Sequence, residues 1–403
     1  MTSYLDVQLG AHTHITKLAG FEYTKHFDYA VGGEIIALRS MNIRNGRLDL
    51  TDVHTIPKDV SDALPRSKLL RGDIVLGYIG SKLGNLAQID EDNRFHLAPN
   101  VALIRPSNTV SSEYLSQYMQ GPKYQAQLWS LASSTGQPAL SMANIRRSKI
   151  WLPPLPEQKK IADILTTWDT AIEATEKLLA NAEAHKKALM QQLLTGKRRL
   201  MGFEGEWAHA DLGDVFDRVR RKNFVRNENV LTISGEHGLV SQLDYFNKRV
   251  ASNDTSKYTL IVKGEFAYNK SYSNGYPLGA IKRLNRYDEG VVSSLYICFG
   301  VSNPARDCER FFEHWFEFGG LNRELSVVAQ EGARNHGLLN VGVDDFFHLN
   351  IVRPSFDQQV AIANVLDVAE KKIASLKQQV DTLKAEKRAL MQQLLTGKRR
   401  VKV

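Results

Sequence analysis

One stretch of this sequence occurs twice. Ala188 to Arg199 reads ALMQQLLTGKRR, and Ala389 to Arg400 repeats the same letters. Upstream of each copy the letters diverge while the pattern persists. Ile161, Leu165, Trp168, Ile172, Leu179, Ala182, Leu189 and Leu193 are answered 201 positions on by Ile362, Leu366, Ala369, Ile373, Val380, Leu383, Leu390 and Leu394. That shift is about half of the 403 residues, so the chain is built as two halves, each closed by a long helix.

From Ile161 the apolar seam advances by alternating steps of four and three residues, a heptad pattern that predicts a coiled coil. Thr175 occupies the slot that Leu376 fills in the second copy, and Lys186 and Lys387 share one seam position. Pro156 suits a first helical turn. Gly196 and Gly397 suit a left-handed C-terminal cap, and the Lys-Arg-Arg after each glycine suits the negative end of a helix dipole. About 39 residues at this rise make a rod of roughly 58 Å.

The block before each helix reads as mixed α/β. Glu34 to Leu38, Asp73 to Ile79 and Asn100 to Ile104 are β-branched runs with strand character. Between Ser112 and Ala132 the spacing turns helical, with Tyr114, Leu115, Tyr118 and Met119 on one face. The second block, from Trp207 to about Asn350, follows the same plan. Lys263-Gly264-Glu265-Phe266 parallels Arg71-Gly72-Asp73-Ile74, and Phe311, Phe312, Trp315 and Phe316 take the four helical slots. Leu200 to Glu206 is a linker.

Composition narrows the function. With 43% hydrophobic and 24% charged residues the chain reads as ordinary globular protein. A net charge of +8 and a pI near 9.2 favour an anionic partner such as nucleic acid. Cys298 and Cys308 form no CxxC and suit a reducing cytoplasm, and the N-terminus carries no apolar leader core. A soluble, cytoplasmic protein without membrane contact is expected. There is no GxGxxG after a strand, no GxxxxGK[ST], no HExxH and no GxSxG, and His12 and His14 suit solvent better than a metal. Asp344 and Asp345, read as strand neighbours, point to opposite faces. No catalytic residue and no metal ligand is expected.

The blocks do carry groups suited to nucleic acid. In the second, Arg218, Arg220, Arg221 and Lys222 cluster, and Tyr268, Asn269, Lys270, Tyr272, Ser273 and Asn274 mix donors with aromatic rings. Lys282 follows, and Arg334, Asn335 and His336 sit in the last loop. The first block offers Arg39, Ser40, Asn42, Arg44, Tyr78, Lys82, Asn85, Ser133, Ser134, Thr135, Gln137, Arg146 and Arg147. Taken singly, each also reads as a turn residue or solvated surface. As sets in a basic protein they favour DNA contact.

This layout resembles the specificity subunits of type I restriction-modification systems over essentially the whole chain. LPPLPEQKKIADIL resembles the start of the family's central conserved region, and ALMQQLLTGKRR resembles its end. The second copy, RPSFDQQVAIANVL, keeps Pro354, Gln359, Ile362, Ala363 and Leu366 but lacks the proline run and the glutamate. The resemblance implies a mixed α/β fold with target-recognition domains at 1–152 and 201–352. Helical spacers at 153–200 and 353–403 would form an antiparallel intramolecular coiled coil with pseudo-two-fold symmetry. It implies a non-catalytic chain reading a bipartite, asymmetric site on double-stranded DNA, with the helices as a ruler between major grooves about 34 Å or more apart. Two adenine-methylating modification subunits and restriction/translocase subunits are the implied partners, with S-adenosylmethionine, ATP and Mg bound by them and no cofactor in this chain. Leu189, Gln192, Leu193, Lys197, Leu390, Gln393, Leu394 and Lys398 are the expected docking residues, although a recent duplication accounts for the identical letters equally well. A coiled-coil scaffold with incidental charge and a standalone nuclease or methyltransferase are the competing readings.

Overall fold

The computed structural model describes residues 6–402 except 21, 23–28, 30–31, 45, 134–135, 236, 247–253, 273–274 and 332–338. The chain divides into two compact units, Met1–Lys177 with Gln378–Val403, and Leu178–Lys377. Each long helix is therefore shared: the first starts in one unit and ends in the other, and the second does the reverse.

In the first unit a four-stranded antiparallel sheet runs in the order Thr13–Lys17, Val101–Pro106, Ile74–Gly77, Leu86–Gln88. Asp6–Gln8 pairs with Lys149–Trp151, which places the chain's exit into the long helix beside its own start. A second sheet, His54–Ile56, Ile35–Leu38 and Phe95–Leu97, completes the block. The expected strands stand where the β-branched runs lie. The helical stretch divides into Ser112–Gln120 and Pro122–Leu131, because Pro122 has no N–H to continue a helix and holds Gly121 extended.

The second unit repeats the sheet order with different letters: Phe216–Arg218, Ile297–Val301, Phe266–Asn269, Ala280–Arg283. Ala208–Asp211 pairs with Asn350–Arg353 as the closing ladder. Gly72 and Gly264 take the same left-handed turn into the equivalent strand, at φ 89° and 96°. Phe311, Phe312, Trp315 and Phe316 are buried, as are Tyr114, Leu115, Tyr118 and Met119 in the first unit. The outer parts differ, since the second block carries two two-stranded ladders where the first has its three-stranded sheet. Asp344 and Asp345 start the short helix Val343–Phe347 and are not strand neighbours. The expectation of a strand is corrected there.

The long helices span Leu155–Leu193 and Phe356–Leu394, 39 residues each. Ion pairs show that they run antiparallel in both units: Lys387 meets Asp169 and Lys384 meets Glu176 in the first, and Lys186 meets Glu370 and Lys377 meets Glu183 in the second. No seam position from Ile161 to Leu193 or from Ile362 to Leu394 is exposed. Gly196 and Gly397 sit at φ 69° and 71° and turn the chain so that the N–H of Arg198 reaches the Gln192 carbonyl, and that of Arg399 the Gln393 carbonyl. Each helix end enters a globular core. Met391, Leu394 and Leu395 pack with Tyr114, Met119 and Leu165, while Met190, Leu193 and Leu194 pack with Phe216, Phe312 and Leu366.

Candidate nucleic-acid interface

In the first block three loops meet. Asn85 donates from Nδ2 to the Ile43 carbonyl at 3.2 Å, beside the exposed Arg44. The N–H of Gly80 donates to the Pro138 carbonyl at 2.8 Å, and the N–H of Leu140 to that of Tyr78 at 2.9 Å. Gly80 is at φ 73°, and a Cβ there would stand 2.8 Å from Nε2 of Gln137. The turn carrying Lys82 and Asn85 is thus laid against the loop carrying Ser133 and Gln137, both exposed. Ser134 and Thr135 lie outside the described residues.

Other expected contacts are consumed internally. Asn42 is buried, donates to the Asp49 and Asp52 carbonyls, and accepts from the Arg39 N–H, which makes it a loop clamp. Arg39 pairs with Asp52 and His54, with little of its side chain exposed, and Ser40 is half-buried on the same turn. Tyr78 packs in the first core. Arg146 and Arg147 are exposed on a separate helix, where Arg146 donates to the Ile15 carbonyl.

In the second block Arg218, Arg220, Arg221 and Lys222 are all exposed. Arg221 pairs with Glu265, and Lys222 donates to the Lys257 carbonyl. Just beyond, Phe224 stands 85% exposed and Val225 66%, with Arg226 alongside in the left-handed region. The buried Asn223 holds this tip by bonds to Asn227 and Thr255. An apolar ring held out among cations suits stacking on, or wedging into, nucleic acid. Sequence reading passed over Phe224 because an isolated Phe ordinarily marks a core. The signal was its flanking by RRKN and VRNEN, a context with no apolar period.

Asn269 and Lys270 are half-buried, Lys270 donates to the Val341 carbonyl, and Tyr272 is exposed. Tyr268 is buried, stacked on Phe346 with ring centres 5.1 Å apart, and burial pushes its phenol pKa up; it belongs to the core and not to a DNA surface. Lys282 is similarly withdrawn. Its Nζ pairs with Glu317 and lies 2.7 Å from the Tyr276 hydroxyl. Burial disfavours its charge, but Glu317 and Tyr276 outweigh that and hold its pKa above the usual lysine value. Ser273, Asn274, Arg334, Asn335 and His336 lie outside the described residues.

Of the expected docking residues, Gln192, Lys197, Gln393 and Lys398 are exposed. Leu193 and Leu394 are not available to another chain, because each anchors a core, and Leu189 and Leu390 are half-buried against those cores.

Residues 24–184 match the type I restriction modification DNA specificity domain. The chain is 22% identical over 384 residues to the putative type I restriction enzyme MjaX specificity subunit of Methanocaldococcus jannaschii, covering 90% of this chain and 87% of that protein. The chain is thus similar, over most of its length, to type I restriction specificity subunits. The EcoKI specificity subunit of Escherichia coli K12 is 25% identical over 189 residues, 46% of this chain and 40% of its own. A crystal structure of the type I restriction-modification S subunit from M. genitalium shares the fold, with a TM-score of 0.60, 12% identity, and coverage of 97% and 96% of the two chains. The relatives that it matches are specificity subunits of type I restriction enzymes. Among the described residues no helix is long and apolar enough to cross a membrane.

Proposed function

We propose that this chain is a non-catalytic specificity subunit that reads a bipartite, asymmetric DNA site, one half per block, and directs partner methyltransferase and restriction subunits to it. One observation carries the reading: the two blocks share a single sheet order while their outer loops differ in letters, length and ladder pattern. A common scaffold with unlike loops suits two unlike half-sites. The loops around Arg44, Lys82, Asn85 and Gln137 are the candidate reader of one half-site, and Arg218 to Arg226 with Lys270 and Tyr272 that of the other. The helices, shared between the units, set the spacer.

Partner docking at equivalent places is supported by two clefts related by the 201-residue shift. One, of about 570 Å³, is lined by Lys187, Met190 and Ile373, and the other, of about 550 Å³, by Arg388, Met391 and Ile172. The exposed Gln192, Lys197, Gln393 and Lys398 carry the same letters at both helix ends. Equivalent sites suit two copies of one modification subunit. S-adenosylmethionine, ATP and Mg belong to the partners, and the assembly works in the cytoplasm.

The test is a block exchange. Replacing residues 207–350 by the same block of a relative, followed by methylome sequencing with the cognate modification subunit, is expected to change one half-site and leave the other. A change in both would overturn the reading.

A further inference from the structure

The two long helices meet through two kinds of ion pair, and only one kind distinguishes the halves. Lys387 places Nζ 2.6 and 2.7 Å from the two carboxylate oxygens of Asp169, and Lys186 lies 3.4 Å from Glu370. Asp169 and Glu370 are counterparts in the repeat, as are Lys186 and Lys387. A helix paired with its own copy would still set lysine against carboxylate at this level. The seam lysines fix register and are indifferent to partner.

The flanking pairs behave differently. Glu176 meets Lys384 at 2.7 Å in the first unit, and Glu183 meets Lys377 at 3.3 Å in the second. In the repeat, Glu176 corresponds to Lys377 and Glu183 to Lys384. Two copies of the first helix would therefore oppose Glu176 to Glu183 twice, and two copies of the second would oppose Lys377 to Lys384 twice. The pair of Arg400 with Glu157 does not alter this balance. Two copies of the first helix would gain a matching Arg199 contact that two copies of the second, with Gln358, would lose.

We propose that Glu176, Glu183, Lys377 and Lys384 are specificity residues that make each half of the chain select the other half as its helical partner and reject a copy of itself. Flanking charges set partner choice in coiled coils, and discrimination rests on repulsion in the wrong pairing as much as on attraction in the right one. The four side chains are each nearly half exposed, so one pair contributes modestly. Re-sorting two mixed pairs into two self-pairs removes four attractions and adds four repulsions, which moves that equilibrium on the order of tenfold or more at low salt. The device keeps two unlike blocks in one assembly.

The test uses the full chain with a protease site in the linker at Met201, which is 98% exposed, folded first and then cut. After incubation in urea just below the unfolding midpoint and return to buffer, native mass spectrometry counts mixed and self-paired halves. The wild-type chain is expected to stay mixed. Exchanging Glu183→Lys with Lys384→Glu leaves the net charge unchanged but makes both mixed contacts repulsive and both self-contacts attractive, so self-pairs should dominate. The fourfold exchange, adding Glu176→Lys and Lys377→Glu, should restore mixed pairs. Salt near 1 M should erase the differences. Equal mixed fractions in the wild-type and twofold-exchanged chains would overturn the proposal. If the twofold variant does not fold and the fourfold variant does, the pairing charges are decisive as proposed; failure of both refutes it. Mass is the readout, so the result is independent of which DNA the chain reads.

Discussion

At the scale of single residues, the base of each long helix shows what one atom changes. In the first unit Arg400 bonds both carboxylate oxygens of the buried Glu157 and lies over the Trp151 ring. In the second unit Arg199 lies over Trp207, but Glu157 is replaced by Gln358. The amide accepts from Trp207 Nε1 at 3.1 Å, yet Gln358 Nε2 and Arg199 Nη1 are both buried without a hydrogen-bond partner. Two donors stand where the first unit has a donor and an acceptor. Gln358→Glu is therefore expected to stabilise the chain by about 1 kcal/mol, seen as a rise of roughly 2–4 °C in melting temperature. Glu157→Gln should lower stability, because the amide keeps one acceptor oxygen where the carboxylate gives Arg400 two. Phe224 makes a prediction of the opposite kind. With 85% of it exposed, Phe224→Ala should leave the melting temperature unchanged and weaken DNA binding roughly tenfold in a titration, the loss expected of one stacking ring.

At the scale of elements, each recognition block is tied to its long helix by equivalent buried glutamines. Gln158 Oε1 accepts from the Ser111 N–H at 2.9 Å, and Gln359 Oε1 from the Cys308 N–H at 2.7 Å. Ser111 and Cys308 each cap the helix that follows the sheet, so the ties set the angle at which block meets helix. A second tie sits higher. Gln117 donates to Asp169, which also holds Lys387, and His314 lies 2.7 Å from Asp367, which also pairs with Arg310. Lys387 is only 9% exposed, so Asp169→Ala would strand a buried ammonium and should cost about 3 kcal/mol, whereas Lys387→Met should cost less. Urea unfolding of the two variants measures the difference. For Asp367, burial pushes the carboxyl pKa up, but hydrogen bonds from His314 and Arg310 with their charges outweigh it and leave it below the ordinary 3.8. Its stabilisation is thus complete above the unfolded value and is lost as pH falls through the lower, folded one. Asp367→Asn should flatten the dependence of the urea midpoint on pH below about 4.

At the scale of the whole molecule, the chain repeats one plan twice. Each unit is completed by the end of the helix that the other unit begins. The long helices, their seam positions and the likeness of the blocks were legible in the letters, because a heptad and a 201-residue repeat are one-dimensional patterns, whereas the antiparallel pairing was implied only by the family resemblance. The site was legible only in part. Arg44, Gln137, Arg220 and Tyr272 lie at the surface, as charge and polarity suggested, whereas Asn42, Tyr78 and Tyr268 face inward. Polar and aromatic side chains serve loops and cores as readily as ligands, and only the packing of distant segments decides which. Leu193 and Leu394 make the same point at the helix ends, where identical letters suggested docking and the fold used them as anchors. The primary sequence thus determined the repeat, the helical period and the balance of charge, since those depend on neighbours along the chain. Tertiary structure alone decided which repeated side chains are buried, that Glu176 and Glu183 oppose Lys384 and Lys377, and that Phe224 stands in solvent. Those properties depend on contacts between residues that the chain separates by tens to hundreds of positions.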